Sequence, residues 1–114
     1  MSSMWEILVP TVRNNGKPYR TRHHREWDKR VRRISGGLTI LPVSKGQWVS
    51  PDGVLFTERM IPVRVVASDV QMEKIIATTF QHYPDQIAVL AYVISHRVAL
   101  RYRGLSYPAP IQQD

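Results

Sequence analysis

Residues 36–66 read GGLTILPVSKGQWVSPDGVLFTERMIPVRVV, and this stretch decides the fold. Gly36-Gly37 is a helix stop, because glycine takes the left-handed backbone that ends a helix without steric cost. The apolar run 38–43 predicts a strand. Residues 45–53 are polar and predict a loop, with Pro51-Asp52-Gly53 as its turn. A longer apolar strand over 54–67 follows, interrupted near Pro62. Helix, strand, loop and strand in that order form the middle of a β-α-β-β-α-β chain.

The flanks supply the rest. WEILVPTV (5–12) predicts a short strand, and Pro10, lacking an N–H, places an edge or a bulge near its end. Residues 14–18 (NNGKP) signal a turn. Thr21 is a cap for a helix running to about Ser35, with Trp27, Val31 and Ile34 as its apolar stripe. After the second long strand, Ser68 and Gln71 have capping-box spacing. Met72, Ile75, Ile76, Thr79, Phe80 and Tyr83 follow at helical intervals, and Pro84-Asp85 ends that helix. Residues 87–94 are nearly all apolar, as in a central strand covered on both faces. A turn at 95–97 and a fifth short strand at 98–102 complete the pattern. The expected architecture is α+β and ferredoxin-like: an antiparallel sheet with two helices on one face, plus the short C-terminal strand. One domain spans 1–105, with an extended tail over 106–114. The uncovered sheet face calls for a partner, so a homo-oligomer is expected.

A chain of 114 residues is one domain by size. It has no cysteine, so disulfide and thiolate chemistry are excluded. Residues 1–6 lack the basic and apolar regions of a signal peptide, and no run reaches the ~18 apolar residues that span a membrane. The simplest expectation is a cytoplasmic protein. The net charge is +7, and residues 1–35 hold nine Lys or Arg against Glu6, Glu26 and Asp28. Two readings of that asymmetry stay open: an anionic partner at the first helix, or a solvated face.

Four constellations can carry chemistry. Glu58-Arg59 offers a carboxylate for a ligand's cation or proton and a guanidinium for an anion, although neighbouring strand residues point to opposite faces. A surface ion pair is the plainer reading. His23-His24 has poor geometry for one metal, because adjacent helical residues diverge by about 100°. His82 and His96 stand alone, and no metal or cofactor is expected. His24 remains a candidate base or phosphate donor, or else a helix-terminal hydrogen-bonding residue. Trp48 can stack on a base or cation, or fold over the core or into an interface. Arg22, Arg25, Lys29, Arg32 and Arg33 can follow a phosphate backbone, although no recognised nucleic-acid module accompanies them.

Two resemblances attach to these residues. WEILVPT (5–11), HHxxWD (23–28), GGLTILP (36–42), KGQW (45–48) and ERMIPVRV (58–65) resemble a family of small uncharacterised phage and bacterial proteins, which implies no activity. Over 46–95 the pattern is similar to phage S-adenosylmethionine lyases: a Gly-x-aromatic segment, a glutamate, a V-R-V strand, a helix and a V-L-x-Y strand. That resemblance implies a trimeric, PII-like fold with ligand clefts between subunits, and intramolecular cleavage of the sulfonium to a lactone and methylthioadenosine. Glu58 would match the substrate-holding glutamate, and Trp48 stands where the lyases have tyrosine. Gln86 falls where that chemistry would call for a carboxylate.

The expected function is therefore a small-ligand-binding oligomer, preferably a trimer. It would bind or cleave an adenine-containing ligand such as S-adenosylmethionine, with Glu58 as the catalytic candidate and Trp48, Arg59, His24 and Gln86 around the ligand. The alternative is a basic, non-enzymatic module that binds nucleic acid or an acidic host protein through the first helix.

Overall fold

The computed structural model describes residues 1–104, and the expected tail over 106–114 lies outside the described residues. Its elements are β1 (Ser3–Pro10), α1 (Thr21–Ser35), β2 (Thr39–Ile40), β3 (Ser44–Val49), β4 (Leu55–Ala67), α2 (Asp69–His82) and β5 (Ala91–Ser95). The strands pair antiparallel throughout, in the order β2-β4-β1-β5 with β3 also on β4. This is the expected ferredoxin-like α+β plan, with its second strand broken in two.

Alternation along β1 and β4 sends Ile7, Val9, Val63, Val65 and Ala67 to one face. There they form a single core with Trp27 and Val31 of α1 and Met72 and Ile75 of α2. The intervening positions, including Leu8, Arg64 and Val66, face away from both helices. Ser68 caps α2 as its spacing predicts: its hydroxyl accepts from the Gln71 N–H at 3.2 Å, and the Gln71 side chain accepts from the Ser68 N–H at 2.8 Å. Gly36 ends α1 at φ 86°, donating its N–H to the Arg32 carbonyl. Thr21 is not the cap of α1, however. It is the first helical residue, and Arg20 holds the cap position without a side-chain hydrogen bond.

Five further expectations need correction. The strand expected over 38–43 shrinks to Thr39–Ile40, and the loop expected over 45–53 contains β3. Pro62 explains the break without interrupting β4. It pairs with Leu8, whose N–H donates instead to the Leu90 carbonyl, so the backbone of Pro62 is turned toward β2 and β3. The Pro62 carbonyl accepts from Leu41, but its nitrogen has no hydrogen to give. The ladder therefore lapses between β2 and β3, and β4 continues. The strand expected over 87–94 is confined to Ala91–Ser95 and lies at the sheet edge, not its centre. Residues 98–102 form no strand. The Ser95 hydroxyl donates to the Arg97 carbonyl and accepts from the Arg97 N–H, bending the chain locally.

Candidate functional site at the root of the β3–β4 arm

β4 is longer than its partner β1. Residues 60–67 pair with β1, whereas the N-terminal part of β4 pairs with β3 alone. The β3–β4 hairpin thus projects past the core as a two-stranded arm. Trp48 faces Phe56 across it, Gly46 faces Glu58, and Ser44 faces Met60. Period-two alternation puts Trp48, Phe56, Glu58 and Met60 on one side of the arm. The Trp48 and Phe56 rings stack with centroids 4.7 Å apart and planes at 16°. Gly46 brings no side chain opposite Glu58, so the space beside the carboxylate stays open.

The segment from Asp85 to Leu90 faces this side of the arm across a cavity of about 550 Å³. Three hydrogen bonds hold the segment: Asn14 N–H to the Asp85 carboxylate at 2.9 Å, Gln86 N–H to the Tyr83 carbonyl at 3.0 Å, and Leu8 N–H to the Leu90 carbonyl at 3.1 Å. The walls are largely apolar, with Glu58, Asp85, Asn14, Gln47 and Gln86 as the polar groups. Glu58 is half-buried, and among the described residues its carboxylate has no hydrogen-bond or ion-pair partner. Such a carboxylate beside apolar walls has its oxygens open to a donor or a cation entering the cavity.

Three of the sequence candidates, Trp48, Glu58 and Gln86, meet in this cavity. Arg59 does not line it: alternation turns it to the other side of the arm, across from Lys45. Trp48 belongs to a strand and not to the loop expected for it. Phe56 and Asp85 are wall residues that sequence reading did not single out. Phe56 was legible two positions before Glu58 on the same strand, while only the tertiary fold brings Asp85 to the arm.

His24 is elsewhere, in a clasp between the start of α1 and the end of α2. His82 is not isolated either. The ring Nε2–H of His23 donates to the His82 carbonyl at 2.6 Å, and that of His82 donates to the His23 carbonyl at 2.7 Å. Carbonyls only accept and guanidinium only donates. The Arg30 side chain, 3.3 Å from Nδ1 of His82, therefore requires that nitrogen to be the acceptor. His82 is thus neutral, with both nitrogens engaged. Burial first, and then the charges of His23 and Arg30, hold its pKa below the ordinary value, against the opposing effects of its bond to the His23 carbonyl and of Glu26. His24 Nδ1 lies 2.6 Å from the hydroxyl of Tyr83. Burial raises the Tyr83 pKa, so that hydroxyl donates. Burial, then His23 and His82, lowers that of His24. His23, Glu26 and His82 also place potential metal-ligand atoms within 4.8 Å of one another. The set fits a cation poorly, because each histidine Nε2 is committed to a carbonyl and Arg30 occupies the other nitrogen of His82.

The clasp makes stability depend on pH. Both histidines have folded pKa values below their unfolded value of 6.5. The unfolded chain therefore binds more protons in that window, and stability rises with pH. The contribution is complete above 6.5 and is lost as pH falls through the folded values. Asp28, whose pKa burial raises, titrates in the opposite sense above 3.8, so the comparison stops at about pH 5.5. Thermal melts are expected to give a lower midpoint at about pH 5.5 than at about pH 8, and His82→Gln is expected to flatten the difference. An unchanged slope in that variant contradicts the clasp.

On α1, Arg22, Arg25, Lys29 and Arg33 are exposed and recur on the face opposite Trp27 and Val31. Arg22 pairs with Glu26 at 3.2 Å, and Arg32 is half-buried. Among the described residues, no helix is long and apolar enough to cross a membrane.

Known structures share this fold. The divalent cation tolerance protein Cut A1 of Thermus thermophilus superposes with a TM-score of 0.62 at 14% identity, over 90% of this chain and 89% of that one. The periplasmic divalent cation tolerance protein CutA of Archaeoglobus fulgidus gives 0.63 at 11% identity, over 89% of each chain. A phage SAM lyase in complex with S-methyl-5'-thioadenosine gives 0.63 at 12% identity, over 82% of this chain and 81% of that one. No protein-family model matches the sequence, and comparison with curated proteins finds none similar.

Proposed function

We propose that this protein is a homo-oligomer that binds a small adenine-containing ligand, such as S-adenosylmethionine, in the cavity at the root of the arm. One observation carries the reading. A half-buried carboxylate without a partner stands beside a stacked indole–phenyl pair, in a cavity of about 550 Å³ that is otherwise mainly apolar. Ligand sites have that character: apolar walls, a flat surface for a ring and few polar groups to orient it. Trp48 and Phe56 supply the flat surface, Glu58 the charged anchor, and Gln86 an amide able to donate and accept. The likeness in fold to a lyase solved with methylthioadenosine supports the choice of an adenine ligand.

Calorimetry with S-adenosylmethionine, methylthioadenosine and adenosine tests the reading. Binding by the native chain is expected, with Trp48→Ala weakening all three ligands and Glu58→Gln weakening S-adenosylmethionine, each about tenfold or more. Chromatography of the same samples for methylthioadenosine and a lactone separates cleavage from binding. Failure of all three ligands to bind sinks the reading.

Assembly is proposed from the surfaces left bare. Val49 and Leu55 at the end of the arm are 63% and 62% exposed, and Leu90, Tyr92 and Ile94 lie open at the sheet edge. Apolar groups in this concentration suit contact with further copies of the chain, and the resemblance to the lyases makes a trimer the expected number. Sedimentation is expected to show an oligomer that Leu55→Glu dissociates. A native chain that sediments as a monomer at high concentration refutes this part.

A further inference from the structure

The sign of the charge in the cavity has a chemical consequence. The whole chain carries +7, yet among the described residues the ionisable side chains lining this cavity, Glu58 and Asp85, are both carboxylates. Among the described residues, no lysine, arginine or histidine lines it. Cations next in sequence to lining residues are directed elsewhere. Arg59 is on the reverse side of the arm, facing Lys45 across the hairpin. Arg13, beside Asn14, lies over the Tyr19 ring, 4.9 Å from its centroid. The neutral polar groups, Asn14, Gln47 and Gln86, can orient a ligand but cannot balance a phosphate.

We infer that the cavity selects organic cations, with a flat body carrying a sulfonium, quaternary ammonium or aromatic onium centre, and rejects phosphates and other anions. The inference rests on the reading of this cavity as a ligand site, but not on adenine. Two features act together. Stacking covers the inner faces of Trp48 and Phe56, and an outer ring face can take a cation through the ring quadrupole, most strongly at the indole. Glu58, half-buried and without a partner among the described residues, is left open to pair with a positive group of the ligand. One Asp85 oxygen accepts from Asn14, which fixes that carboxylate at the opposite wall and extends the negative field across the space. A phosphate in the same place would meet two carboxylates and no counter-charge.

Two matched pairs of probes separate charge from adenine. S-Adenosylmethionine and S-adenosylhomocysteine differ by the methyl group that makes the sulfur cationic. N-Methylquinolinium and quinoline make the same comparison without adenine, and adenosine against adenosine monophosphate reads rejection of phosphate. Calorimetry is expected to give each cation an advantage of about tenfold over its neutral partner. Glu58→Gln is expected to remove most of that advantage, with the thermal midpoint nearly unchanged. Adenosine monophosphate is expected to bind more weakly than adenosine. Equal affinities within both matched pairs overturn the inference and leave the adenine reading intact. Binding of N-methylquinolinium with no adenine compound bound overturns the adenine reading and leaves the inference standing. Silence from all six probes overturns both.

Discussion

Replacing Trp27 with alanine is expected to cost the fold about 3–5 kcal/mol, the range for deleting a large aromatic from a packed core. Trp27 is 1% exposed and joins both helices to the sheet in one core. Its Nε1–H donates to the Thr79 hydroxyl at 3.0 Å, and that hydroxyl donates in turn to the Ile75 carbonyl at 2.7 Å. Alanine removes the ring and the indole donor. It strands no partner, because Thr79 keeps its own acceptor. The cost is therefore mainly cavity and lost apolar contact, and Trp27→Phe is expected to recover more than half of it. A domain of this size has a total stability of about 5–15 kcal/mol, so the alanine variant stands near its unfolding threshold. Denaturant titration at one protein concentration, held fixed because assembly feeds into stability, reads the difference. A cost below about 1.5 kcal/mol contradicts the place of Trp27 at the centre of the core.

That centre was legible because its signals are periodic. Trp27, Val31 and Ile34 recur at helical spacing, α2 declares its start with Ser68 and Gln71, and Gly36 marks the end of α1. The arm was illegible for a physical reason. Lys45, Gly46 and Gln47 have no apolar alternation because β3 packs against no core, and its ladder to β4 holds it instead. A strand held by its ladder and by the cross-strand Trp48–Phe56 contact, without a core beneath it, looks like a loop when only apolar periodicity is read. The apolar alternation at 98–102 misled in the opposite way, since Ser95 bends the chain before a hairpin can close.

The site was legible in part. Trp48 and Glu58 stand ten residues apart on paired strands, and once the hairpin is recognised, period two puts them on one side. The same rule separates Arg59 from Glu58, so adjacency in sequence marked a division between faces. The histidine clasp joins residues 59 positions apart through backbone carbonyls, for which side-chain patterning has no signal.

A second large effect is expected on the uncovered sheet face, and it is asymmetric. Glu6, Arg64 and Tyr92 sit side by side on β1, β4 and β5, in direct register. Glu6 is 7% exposed, accepts from Arg64 Nε at 3.0 Å and accepts the Tyr92 hydroxyl on its other oxygen. That hydrogen bond first, and burial second, raises the Tyr92 pKa, so the tyrosine remains a donor. Arg64→Met leaves a buried carboxylate with one neutral donor. Breaking such a pair costs about 3–5 kcal/mol when both charges are buried, and about 2–3 kcal/mol is expected here because water can reach a partly exposed site. Glu6→Leu should cost under about 1 kcal/mol, since the Arg64 side chain is 42% exposed and can return to water. The double variant removes both charges, and apolar replacement of a buried pair is often neutral or stabilising, so it is expected within about 1 kcal/mol of the native chain. Denaturant titrations of the four proteins close a double-mutant cycle with a coupling of about 2 kcal/mol. Equal costs for the two single variants would show that neither charge is more deeply buried than the other, and would remove the buried carboxylate from the account of this face.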